Sequence, residues 1–109
     1  MDKDEKCIEA VTGRIEEMEA AFDEVCAAQK KLRRALEAFS EAQGLVRKLS
    51  DYYEGDWRYD FEADENGELP SGLKRGVLSE DGIWSMLDVN NELIAEMKKL
   101  TEKLSADTL

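Results

Sequence analysis

Between Ile8 and Val46 the large apolar residues return in alternating steps of three and four: Ile8, Val11, Ile15, Met18, Phe22, Val25, Leu32, Leu36, Phe39 and Val46. Gln29 and Gln43 fill the two places that the series skips, so the heptad is never lost. This period puts a single apolar seam on an α-helix, and it is incompatible with a strand, whose faces alternate every second residue. The spacing predicts one long helix, or two in close register, over about residues 4–52, with Glu, Lys and Arg on the other faces. Asp2, Asp4 and Glu5 suit its positive N-terminal end. Gly44 is where a kink or break is expected, because a glycine inside a helix costs about 1 kcal/mol.

A second helical stripe runs through Ile83, Met86/Leu87, Leu93/Ile94, Met97, Leu100 and Leu104. Ser79 is placed to cap it, Glu80 and Asp81 suit its first turn, and Leu78 and Ile83 have the spacing of a hydrophobic staple. That predicts a C-terminal helix over about residues 79–105. Asn90 and Asn91 interrupt the stripe, and such polar breaks fix register at a cost in stability. As helices the two stripes span about 57 Å and about 31 Å, so the second cannot cover the first. The first helix folds back near Gly44, or the middle segment covers the remainder, or a homodimer forms through the exposed half. The fold expected is all-α: a small antiparallel bundle or coiled-coil hairpin in a single domain.

Between the stripes the composition changes. Tyr52, Tyr53, Trp57, Tyr59 and Phe61 are five of the chain's eight aromatics. Asp56 is a plausible N-cap and Asn66-Gly67 a plausible stop for a short helix over about residues 56–66, followed by a loop over about 67–78. Trp57 and Phe61 then share a face at i, i+4, suited to plugging the open end of the helix pair. Residues 51–68 also hold eight acids against one base, Arg58. Glu62, Asp64 and Glu65 stand near the C-terminus of the short helix, where negative charge opposes the dipole. Lys74 and Arg75 folding back, a metal ion, or a basic partner would offset that cost. Arg presents a rigid fork that suits carboxylates, so Arg75 is expected to dock on Asp60 or Asp64, with Val77 and Leu78 dropping into the core beside Trp84. Trp57, Asp60, Asp64, Glu65, Lys74 and Arg75 are thus the candidate clasp or partner surface.

Other chemistries find little support. Glu62 to Leu73 has oxygens at alternate positions and a glycine sixth, like a calcium loop, but it opens on Glu and places Leu73 where a bidentate Glu is needed. Histidine is absent, which removes the usual base near neutral pH and the commonest transition-metal ligand. Cys7 and Cys26 would stand about 28 Å apart on one helix, too far to bridge, and are expected to be reduced thiols. No cofactor and no enzymatic activity are expected. A net charge of −11 disfavours direct contact with nucleic acid or anionic membrane, and favours a basic protein partner. Lys30, Lys31, Arg33 and Arg34 form a basic cluster, read here as a solvated face. No run of about 18 apolar residues predicts a membrane span, and the acidic start is unlike a secretion or transit signal, so a cytoplasmic location is expected.

The middle segment carries a resemblance. Tyr52-Tyr53, then Trp57-x-x-Asp60-Phe61-Glu62-x-Asp64-Glu65-x-Gly67-x-Leu69-Pro70, then Leu73-x-Arg75-Gly76-Val77-Leu78-Ser79-Glu80-Asp81, resembles a family of small uncharacterised bacterial helical proteins, a domain of unknown function. Many relatives carry Tyr where this chain has Trp84, an aromatic exchange. The resemblance implies a bacterial, cytosolic, all-helical protein, and it transfers no activity. Two functions follow from the residues. One is a non-catalytic helical protein–protein interaction module. The other is an acidic protein that occludes a basic surface, such as an inhibitor of a nucleic-acid-binding enzyme, with a carboxylate metal-binding protein more distant. Whether Asp60 and Asp64 are already paired within the chain separates the first two.

Overall fold

A computed structural model of the chain describes the backbone of residues 2–107 and the side chains of 4–107. Three α-helices follow one another, α1 (Asp2–Glu54), α2 (Trp57–Glu65) and α3 (Gly82–Asp107), with a 3₁₀ turn at Gly76–Leu78 before the last. Among the described residues there is no strand. Asp4 and Glu5 stand in the first turn of α1, while the side chain of Asp2 lies outside the described residues. Gly44 lies inside α1 and breaks nothing. The helix carries Gly44, and Gly13 before it, within 53 residues of otherwise helix-compatible sequence, and penalties of about 1 kcal/mol each are too small to end it.

The chain divides into two compact units after Ala42. The first is the N-terminal part of α1. Its apolar seam is bare: Ile8 is 63% exposed and Phe22 57%. The second unit comprises the end of α1 together with α2, the 3₁₀ turn and α3. Here α1 and α3 run antiparallel. Gln43 and Asn90 exchange two side-chain amide hydrogen bonds, at 3.1 and 3.0 Å. Val46 and Ser50 lie beside Leu87, and Leu49 beside Ile83 and Met86. The polar interruptions of the two seams thus meet each other, which satisfies both amides and fixes the register of the pair.

The buried core is small. Among the described residues only Leu78 and Ile83, at 7% and 3% exposure, are apolar and fully enclosed. They are the two residues expected to form a staple, and they lie on either side of the entry to α3, although with the helix starting at Gly82 they do not occupy staple positions. Val77 and Trp84, expected to join them, are exposed instead. The cause is the 3₁₀ turn, which points Leu78 inward and so turns its neighbour Val77 out. Trp84, next to the inward Ile83 on α3, is likewise carried to the outer face.

The entry to α3 also differs from the sequence expectation. The helix starts at Gly82, and its first backbone bond runs from the Ser85 N–H to the Asp81 carbonyl, at 2.8 Å. Ser79 does not cap it; its hydroxyl donates to the Gly76 carbonyl at 2.8 Å and closes the 3₁₀ turn. Gly82 packs on that turn so closely that a Cβ there would stand 2.4 Å from Ser79 Oγ and 2.8 Å from the Gly76 carbonyl oxygen. Only glycine fits without displacing backbone.

Candidate functional site

α2 arises where α1 ends. The Gly55 N–H bonds the Asp51 and Tyr52 carbonyls, closing α1, and the Asp60 N–H to Asp56 carbonyl bond opens α2. Asp56 occupies the N-cap position, but its side chain makes no capping bond, because its own backbone is helical (φ −70°, ψ −12°) and directs the carboxylate away from the following N–H groups. The other end stops at Asn66-Gly67 as expected. Gly67 has φ +72°, its N–H bonds the Asp64 carbonyl, and the Glu68 N–H bonds the Ala63 carbonyl, each at 3.0 Å. These paired bonds form a Schellman motif, which returns the chain toward α3.

Two ties hold the returning loop against α2, and a third joins α2 to the end of α1. Arg75 Nη1 meets Asp64 Oδ1 at 2.5 Å, its Nη2 donates to the Pro70 carbonyl, and its Nε donates to the Leu73 carbonyl at 3.2 Å. The guanidinium therefore closes its own loop and places positive charge at the C-terminus of α2, where the helix dipole is negative. Trp57 Nε1 donates to the Val77 carbonyl at 2.7 Å, while its ring stacks on Phe61 at 4.9 Å and tilts against Tyr53 at 5.1 Å. The Tyr52 hydroxyl donates to Asp60 Oδ2 at 2.7 Å.

Four of the six candidate residues thus enter the clasp: Trp57, Asp60, Asp64 and Arg75. Glu65 and Lys74 are exposed and, among the described residues, bond to nothing. Tyr52 and the carbonyls of Pro70, Leu73 and Val77 complete the site without having been marked as part of it. A backbone carbonyl has no sequence signal, and only the i, i+8 spacing of Tyr52 and Asp60 across the Gly55 corner hinted at that pair. Among the described residues no three His, Cys, Asp or Glu side chains converge in the manner of a metal site, and Glu62, Asp64 and Glu65 lie within α2. Cys7 and Cys26 are free thiols.

Burial pushes the Tyr52 hydroxyl up to about 12 from its ordinary 10.0, and the hydrogen bond and negative charge of Asp60, with the charge of Asp56, push the same way. The folded state therefore holds this proton more tightly than the unfolded state. The stabilisation is complete below pH 10 and is lost as pH rises through about 12. In a phenolate absorbance titration, Tyr52→Phe is expected to remove a late step near pH 12. A late step that persists in Tyr52→Phe would assign it to another ring.

Arg75→Ala removes the ion pair and two carbonyl bonds, and restores the clash of Asp64 with the helix dipole. The pair is partly exposed, at 35% and 18%, so solvent screening tempers its strength. The expected cost is about 1–3 kcal/mol by urea denaturation. Arg75→Lys should recover less than half of it, since a point charge cannot hold three acceptors at once. Full recovery by Lys would mean that charge alone matters there.

No curated protein and no solved structure matches the chain. One family model does match, over residues 15–100, a stretch that takes in most of α1, the whole clasp and most of α3. The chain belongs to this family, the domain of unknown function DUF4298.

Proposed function

We propose that this protein is a non-catalytic helical interaction module, working in the cytoplasm, whose docking face is the apolar seam of α1. The observation that carries this reading is the bare stripe Ile8, Val11, Ile15, Met18, Phe22, Val25, Leu32 and Leu36, each 41–63% exposed on a helix with charged outer faces. A contiguous apolar stripe rimmed by charge marks an association surface, whereas scattered exposed hydrophobes do not. The clasp serves this role indirectly, by stabilising the second unit. The occluder reading loses its main support where Asp60 and Asp64 are bonded at home to Tyr52 and Arg75.

A photo-cross-linking side chain at Leu32, on the seam, tests the module reading in living cells. It is expected to yield a protein adduct, while the same group at Ala27, on the outer face, is not. Equal yields at both positions, or none at Leu32, would overturn it.

A further inference from the structure

The charges along α1 select an occupant for this face. From Ile15 to Gln29 there are five acids (Glu16, Glu17, Glu19, Asp23, Glu24) and no base. From Gln29 to Leu36 there are four bases (Lys30, Lys31, Arg33, Arg34) and no acid. The midpoint between the two blocks falls at Val25 and Cys26. A second copy of α1 laid antiparallel, crossing at that point, sets each acidic block beside the other copy's basic block. A parallel copy sets acid beside acid and base beside base, with Arg14 and Glu19 as its one favourable pairing.

We infer that α1 pairs antiparallel with α1 of a second copy, around a two-fold axis beside Cys26. This inference rests on reading the seam as a docking face, and adds the partner, its direction and its register. In an antiparallel coil the two seam positions of the heptad face each other, which allows only registers one heptad apart. The one that matches the charges sets Val25 over Gln29 of the second copy, Phe22 over Leu32 and Met18 over Leu36, and the symmetry repeats each layer. Glu19 then flanks the seam beside Arg33 of the second copy, twice. On the other flank Ala21 faces Ala35 and Ala28 faces Ala28, small side chains that let the helices approach closely. The basic cluster at 30–34 has one acid within a helical turn, Glu37, and gains further counter-charges in this way.

Area agrees with the charge. The five bare seam side chains from Met18 to Leu36 offer on the order of 500 Å² per copy, or ~1,000 Å² in total, which reaches the size a specific interface needs. α3 has 26 residues against 53 in α1, so it is too short to cover the seam from end to end. Symmetry is also the common solution for such a face, since a two-fold pairing is self-complementary and closed.

The test uses the full chain in two single-thiol forms, Cys7→Ser and Cys26→Ser, treated with a short bis-maleimide and followed by sedimentation equilibrium. A dimer that cross-links through Cys26 and not through Cys7 is the expected result, since the antiparallel register puts the two Cys7 thiols about 60 Å apart. Charge exchange gives an independent reading of direction. Glu19→Arg is expected to weaken dimerisation about tenfold, and Glu19→Arg combined with Arg33→Glu to restore it. Cross-linking through Cys7, or failure of the double exchange to restore the dimer, would overturn the antiparallel pairing while leaving the module reading in place. A chain that stays monomeric with its helical circular dichroism intact would overturn self-pairing altogether. The cellular adduct at Leu32 would then contain a different protein, or, if absent, the module reading would fail as well.

Discussion

Ile83→Ala is expected to cost about 2–4 kcal/mol. Ile83 is 3% exposed and packs where the end of α1, the 3₁₀ turn and α3 converge, beside Leu49, Val77 and Met86. In a large core the neighbours of a deleted side chain share the loss. Here Leu78 is the one other enclosed apolar residue described, so nothing behind Ile83 can collapse into the space. Total stabilities of small domains are about 5–15 kcal/mol, and a loss of this size leaves the second unit close to its unfolding limit. Urea denaturation followed by tryptophan fluorescence reads this unit, since both tryptophans, Trp57 and Trp84, belong to it. Protein concentration is held fixed, because self-association would shift the midpoint. Val77→Ala, at a residue 44% exposed, should change stability by less than about 1 kcal/mol. Equal effects at the two positions would mean that burial in the 3₁₀ turn is not what holds α3.

The second large effect is expected at Trp57, and a pair of variants divides it into parts. Trp57→Ala removes the stacking on Phe61, the contact with Tyr53 and the bond to the Val77 carbonyl together, for about 3 kcal/mol or more. Trp57→Phe keeps a ring in place and loses the indole N–H, so it should cost only about 1 kcal/mol. If Phe proved as damaging as Ala, the hydrogen bond to Val77 would carry the clasp and the rings would be incidental. If Phe were neutral, the order would be reversed.

Much of the fold was legible because the informative signals were periodic or local. The three-four spacing from Ile8 to Val46 specified a helix whatever lay against it, and Asn66-Gly67 specified a stop because a left-handed residue was required there. Asp64 and Arg75 were legible as a pair through an energetic argument: carboxylates at the negative end of α2 needed an offset, and few bases were near. Ser79 shows where such reasoning fails. It satisfied every local rule for a helix cap, yet the Gly76 carbonyl lies closer to its hydroxyl, and only the three-dimensional path of the turn reveals that. The exposure of Trp84 was hidden for a related reason, since the phase of α3 is set by Ile83, one residue earlier. The bonds from Trp57 and Arg75 to backbone carbonyls had no sequence signature at all.

The four ties of the second unit differ in how much chain each must close. Tyr52 to Asp60 spans 8 residues, Asp64 to Arg75 spans 11, Trp57 to Val77 spans 20, and Gln43 to Asn90 spans 47. Loop closure costs more entropy as the loop lengthens, so the clasp forms early and the amide pair late. Folding then resembles a zip that starts at the corner and ends with α3 settling along α1. Asn90→Ala should chiefly quicken unfolding, whereas Asp64→Ala should slow refolding. A stopped-flow comparison that found the reverse would place the nucleus in the seam. The small network around Arg75 thus sets the time at which this chain commits to its shape, before either long helix has found the other.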